Sequence, residues 1–224
     1  MTTTLSALAA IIAKSPESPA IVSPGDRDVF RSGPRLRYGV RVNDVTTTPR
    51  NQTKYQIRFD WGLGGGTAIA PGAHIVVWVD ALTTALAPDP LNIPHGSAVV
   101  LGTVGNAAAV AAWVLERQVE LGDRATVAVV AAGSDDGHFA VEDLIAAGAV
   151  IDAIAAVGID FISPEAAAAV GAFVGLRNAT GHVLSASVTG QQIISVHGRD
   201  FVDAARTANS QPEVTVLREF TLPV

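Results

Sequence analysis

Cysteine is absent from the 224 residues, which excludes disulfides, thiolate metal sites and a cysteine nucleophile and fits a reducing, cytoplasmic compartment. Charge is scarce as well. Only 16% of the residues are charged, and the 15 Lys and Arg are scattered, so no basic surface for nucleic acid or anionic lipid is expected. No apolar run approaches the roughly 20 residues of a membrane span. The apolar stretch at residues 5–13 has no basic residue ahead of it, so no signal peptide is expected. The partners left are a small molecule and further copies of the chain, as in a homodimer, with no nucleic acid and no membrane. What the chain has in quantity is apolar: 49% hydrophobic content at a formal net charge of −6 argues for one well-buried core.

Pro16, Pro19, Pro24, Pro34 and Pro49 interrupt residues 1–52, which read as a partly irregular N-terminal arm with a short helix over 4–14 and an extended piece over 36–42. Residues 53–224 read as a single α/β domain organised around 125–154. There a small and β-branched run, 125–132, has the composition of a strand covered on both faces. Gly133 ends it, Ser134, Asp135, Asp136 and Gly137 turn the chain, and a helix follows with Glu142 and Asp143 in its first turns. Further strands are expected at 55–62, 74–79, 97–101 and 213–218, with helices starting at Asn106, Ser163 and Asn178 and over 200–208. The order implies an α/β fold, a mixed or mostly parallel sheet with helices on both faces in a three-layer sandwich. Gly62, Gly64, Gly65 and Gly66 read as a flexible turn, because a dinucleotide fingerprint needs G-x-G-x-x-G opening a helix and Pro71-Gly72 breaks the chain soon after. Phe139, Leu144 and Ile151 are expected to bury one side of the acidic helix. Glu116, Arg117 and Glu120 are expected to face water on the helix after Asn106.

Open α/β sheets bind ligands beyond the carboxyl ends of their strands, and Asp80 stands at such an end. It can bind a metal, or cap a helix beginning at Ala81. Asp135, Asp136, Glu142 and Asp143 cluster in the neighbouring turn; the helix dipole alone favours acids there. If Asp80 joins them, hard oxygen ligands converge, the chemistry Mg²⁺ prefers. His138 in that turn is an acid or base, or simply solvated. Gly102, Gly105 and Asn106 lie between a strand and a helix, where free N–H groups hold an anion or an Asn caps the helix. Ser185, Ser187, Thr189 and Gly190 make a hydroxyl-rich bend, whose hydroxyls are caps or partners of phosphate oxygens.

Residues 131–148, AAGSDDGHFAVEDLIAAG, resemble the AGT…G-x-F-S-L-E-D-L-L-A-A-G segment of the 2-phosphosulfolactate phosphatases of coenzyme M biosynthesis. VVWVDAL ending at Leu82, GTVGNAAAVA from Gly102, SVTGQQI and a closing VTVLREF agree in order, and YQIRFDWGLGGGTAIAPGA is similar to the actinobacterial branch of that family. The resemblance spans 53–220. It implies an α/β, Mg²⁺-dependent phosphomonoester hydrolase releasing phosphate from a small phosphorylated sulfonate or carboxylate. Asp80, Glu142 and Asp143 match the family's acidic positions and are the expected catalytic and metal residues; Asn106 matches its N-A-x-A-V helix start and Ser187 and Gly190 its S-x-x-G turn, and with Gly105 and Thr83 these are the expected phosphate-binding residues. The chain departs from the pattern at Thr83 and Gln191, where Arg is usual, and lacks the E-R-G-G and N-G-T segments. The alternative is a catalytically inactive homologue that binds a ligand or assembles with partners.

Overall fold

Every residue of β2 (Ile75–Val79) and β4 (Val127–Ala131) is buried in the computed structural model, as their valine- and alanine-rich sequences require of central strands. The structure describes residues 48–83, 89–93, 96–134, 139–206, 210 and 213–220. With β1 (Ile57–Trp61), β3 (Ala98–Gly102) and β5 (Thr215–Arg218) these strands form one sheet in the order β1-β4-β2-β3-β5. The first four are parallel and β5 runs antiparallel to β3, giving a mostly parallel mixed sheet. The register is flush at the carboxyl edge: Trp61 and Val79 both pair with Ala131, and Val79 pairs with Gly102. Asp80, Thr103 and the Ala132–Gly133 step therefore emerge side by side.

The layers follow from handedness. α1 (Gly62–Ile69) carries the chain from β1 past β4's position to β2, and α2 (Ala107–Leu121) carries it back from β3 to β4. Right-handed crossovers in opposite directions lie on opposite faces. Ile69 and Ile93 pack with Val76, Trp78 and Val130 on the α1 face. On the other, α2, α3 (Val141–Ala156), α4 (Pro164–Leu176), α5 (Thr180–Ala186), α6 (Val188–His197) and α7 (Arg199–Ala205) contribute to the larger core. Beyond β2 the chain first packs Ala81 and Leu82 into the larger core and reaches the α1 face at Ile93, while beyond β4 it enters α3 in the larger core, and a crevice lies at the carboxyl edge between these neighbours. Gln52 closes the free edge of β1, donating from Nε2 to Phe59 O at 2.8 Å and accepting from Phe59 N at 2.9 Å.

Several expectations change. The glycine run is not a flexible turn but the first half of α1. A Cβ on Gly65 would stand 2.8 Å from Asp60 Cγ, and one on Gly66 would stand 2.6 Å from Ile93 Cδ1. Close docking onto the sheet thus outweighs the poor helix propensity of glycine. Phe139 is 64% exposed, because α3 begins after it; its ring instead meets Trp61 at 5.2 Å. Arg117 does not simply face water, since its guanidinium lies 4.8 Å from the Trp113 ring centroid. Ser163 caps α4 as expected, accepting from Ala166 N at 3.1 Å. The readings at 4–14, 36–42, Asp135, Asp136 and His138 lie outside the described residues. Among the described residues no helix is long and apolar enough to cross a membrane.

Trp78, 2% exposed, anchors the α1 layer. Trp78→Ala is expected to lower unfolding free energy by about 3–5 kcal/mol, read by urea denaturation; a loss under about 1 kcal/mol would contradict the packing described.

Candidate active site

The site is held together by Asp143. It stands in the first turn of α3, and its Oδ1 accepts from Ala81 N at 2.8 Å while its Oδ2 accepts from Gly133 N at 2.9 Å. One carboxylate thus ties together the chain ends leaving β2 and β4. Gly133 turns with a φ of 79°, a conformation most side chains resist. Asp80, beyond β2, folds its own turn by accepting at Oδ1 from Leu82 N at 3.2 Å; among the described residues no helix starts at Ala81, which lies in this turn.

Asp80, Glu142 and Asp143 are brought together: with Ser134 and Thr189 they line a small cleft at the mouth of the crevice. Glu142 and Asp143 are each only 2% exposed. The two acids differ in one respect. Asp143 is fully engaged by backbone N–H groups, whereas Glu142 has no hydrogen-bond partner among the described residues. A second cleft of about 280 Å³ shares Asp80 and continues past Thr83, Thr103 and Gly105.

The anion-binding candidates divide in the same way. Asn106 ends the β3–α2 turn with both side-chain atoms in use: Oδ1 accepts from Thr103 N at 2.8 Å, and Nδ2 donates to Leu101 O at 3.0 Å. Ser187 caps α6, accepting from Gly190 N at 3.0 Å and donating to Leu184 O at 3.1 Å. Gly190 is needed there because a Cβ would fall 2.0 Å from Leu184 O. Thr189, between them, is the residue of that bend that reaches the acidic cleft. Sequence reasoning placed Thr189 only within a hydroxyl-rich bend of caps or phosphate partners; the Ser187–Gly190 cap spacing, which puts it in the first turn of α6, was the signal that could have singled it out.

Burial pushes the Asp143 carboxyl well above the usual carboxylate range. The neighbouring charge of Asp80 adds to the rise and the N–H of Ala81 opposes it. The folded state then holds this proton more tightly than the unfolded one. The resulting stabilisation is complete below about pH 4 and is lost as pH rises through the raised folded value.

A mostly parallel sheet with an acidic, hydroxyl-edged cleft at its carboxyl edge places this chain among the α/β proteins, whose ligands are commonly bound at that edge. The family model described as 2-phosphosulpholactate phosphatase matches residues 68–219, more than half of the chain, and the chain belongs to that family. The matched span runs from within α1 to just beyond β5 and includes Asp80, Asn106, Glu142, Asp143, Ser187 and Gly190. Comparison with curated proteins finds no match.

Asp143→Ala orphans two backbone donors at about 1–3 kcal/mol each, so a loss of about 2–5 kcal/mol in thermal or urea unfolding is expected. A loss within about 0.5 kcal/mol, the range of an ordinary surface substitution, would contradict the tie. In Asp143→Asn the decline in stability of the wild type above pH 4 should flatten; an unchanged pH profile would rule out Asp143 as its source.

Proposed function

We propose that the chain is a Mg²⁺-dependent phosphomonoester hydrolase whose reaction centre is the cleft between the ends of β2 and β4. The observation that carries this reading is Glu142, a carboxylate 2% exposed with no hydrogen-bond partner among the described residues, facing Asp80 and Asp143 across one cleft. Its side chain lines the cleft without a hydrogen bond among the described residues, and a cation seated in the cleft would give it a partner. Mg²⁺ typically uses one or two carboxylates, keeping waters and substrate phosphate oxygens for its other positions. Asp80 and Glu142 supply that number, with Asp143 beside them. Among the described residues no three acidic or histidine side chains form a metal site on their own, so an ion here would need phosphate oxygens and waters as further ligands.

When bound, Mg²⁺ supplies a Lewis acid for a phosphoryl oxygen and neutralises developing charge. The chain's own groups do the rest. Asp143 fixes the spacing of the two strand ends through Ala81 N and Gly133 N. Asn106 holds the β3–α2 turn and Gly105 lines the cleft there, beside a helix N-terminus that would favour the negative charge of a phosphate. The hydroxyls of Thr83, which donates at 3.5 Å to Asp80 O, and of Thr189 belong to residues of the cleft walls, and Ser187 with Gly190 holds the turn that carries Thr189. The second reading, an inactive homologue that binds a ligand, is favoured by one observation: no Lys, Arg or His is found among the described residues lining either part of the cleft.

With Mg²⁺ the full chain should release inorganic phosphate from small monoesters and stop on chelation. Glu142→Ala should lose about 100-fold or more in rate while melting within a few degrees of the wild type, since it breaks no hydrogen bond among the described residues. No turnover across a monoester panel, with no Mg²⁺-dependent shift in melting, would favour the inactive reading.

A further inference from the structure

At the β5 end the sheet is open in a second way. β5 closes the strand order and is bonded to β3 on one side, so its outer edge has no strand partner among the described residues. Thr215 and Leu217 of β5 are exposed, while Val214 and Val216 lean toward the larger core. Beside them α2 presents Ala109, Ala112, Trp113 and Glu116, at the i, i+3, i+4, i+7 spacing of a single helix face. These α2 residues, with Glu213, Val214 and Val216, line an open groove of about 450 Å³. Its lining is apolar apart from two carboxylates. Arg117 does not answer them, because it stacks on Trp113 at 4.8 Å and pairs with Glu120 at 2.6 Å and Glu219 at 3.8 Å. Glu116 and Glu213 have no hydrogen bond or ion pair among the described residues.

We propose that this groove docks an extended segment of a partner protein in which apolar and basic side chains alternate. The segment adds to the sheet as a strand beyond β5, the usual fate of an open sheet edge that meets a suitable chain. Its main chain supplies the hydrogen bonds that the outer edge of β5 lacks. The side chains on its inner face reach over β5, where apolar ones leave water for Val214, Val216 and the Trp113 ring and a Lys or Arg meets Glu116 and Glu213. These carboxylates lie at the surface, so they select the partner by charge more than they tighten the complex. The same charge disfavours a second copy of β5 as the occupant, since it brings another Glu213 and Glu219 to the edge.

The test is calorimetric titration of the full chain with short capped peptides. A peptide of alternating Lys and Val should bind at least about 10-fold more tightly than one of alternating Glu and Val, and raised salt should weaken it. Its fully N-methylated form, which cannot donate to β5, should bind at least about 10-fold more weakly. The double variant Glu116→Gln with Glu213→Gln should lose about 10-fold in affinity for the Lys-Val peptide while melting like the wild type, because both side chains are exposed and unpaired. Sedimentation of the chain alone should show no association that Leu217→Lys removes. No binding of the Lys-Val peptide at about 1 mM, equal binding of the Glu-Val or N-methylated peptide, or undiminished binding by the double variant would overturn the proposal. Association of the chain with itself that Leu217→Lys abolishes would overturn it too, and would assign the edge to a second copy.

Discussion

Two hydrogen bonds to one carboxylate set the geometry on which everything at the sheet edge depends. Asp143 reaches from the first turn of α3 to Ala81 N beyond β2 and Gly133 N beyond β4. Beyond the ends of adjacent parallel strands the backbone N–H groups run out of sheet partners. A buried acid satisfies both at once, and its cost in desolvation appears as the raised pKa of its carboxyl. The crevice is therefore kept open by the same residue that holds its walls in register.

With that tie in place, the neighbouring groups need not hold the fold together. Glu142 precedes Asp143 on the helix and is equally buried, yet it forms no comparable bond, which leaves its charge directed at the cleft. Asn106 and Ser187 resemble Asp143 rather than Glu142, since each is absorbed by a turn and acts by shaping what its neighbours present. The groups left facing the cleft are acids, threonine hydroxyls and the start of α2, with an apolar wall from α7 beyond them. Such a set is the one on which the proposed cation-bridged phosphate site rests.

Much of the fold was legible in the sequence because central parallel strands announce themselves. The runs at 74–79 and 125–132 have no polar face, and Asp80 and Gly133 mark their ends. Glu142 and Asp143 could be placed in the first turn of α3 by position, but sequence gave no sign that one acid serves structure and the other stays unpartnered. That difference arises from Ala81, 62 positions away from Asp143. The glycine run of α1 was misread because local propensity disfavours helix there, while the close approach of Asp60 and Ile93 that requires glycine is tertiary. Phe139 was misread because hydrophobicity was counted across a helix boundary that falls after it. Thr189 was hidden among other hydroxyls, and only the cap at Ser187 distinguishes it.

The central claim is that Glu142 is left without a partner so that a cation can join it to phosphate. Isothermal titration calorimetry of inorganic phosphate into the full chain, with and without Mg²⁺ and in Glu142→Gln, tests it directly. Phosphate should bind to the wild type only when Mg²⁺ is present, and Glu142→Gln should bind it under neither condition. Phosphate binding that is equally tight without Mg²⁺, or unchanged in Glu142→Gln, would contradict it.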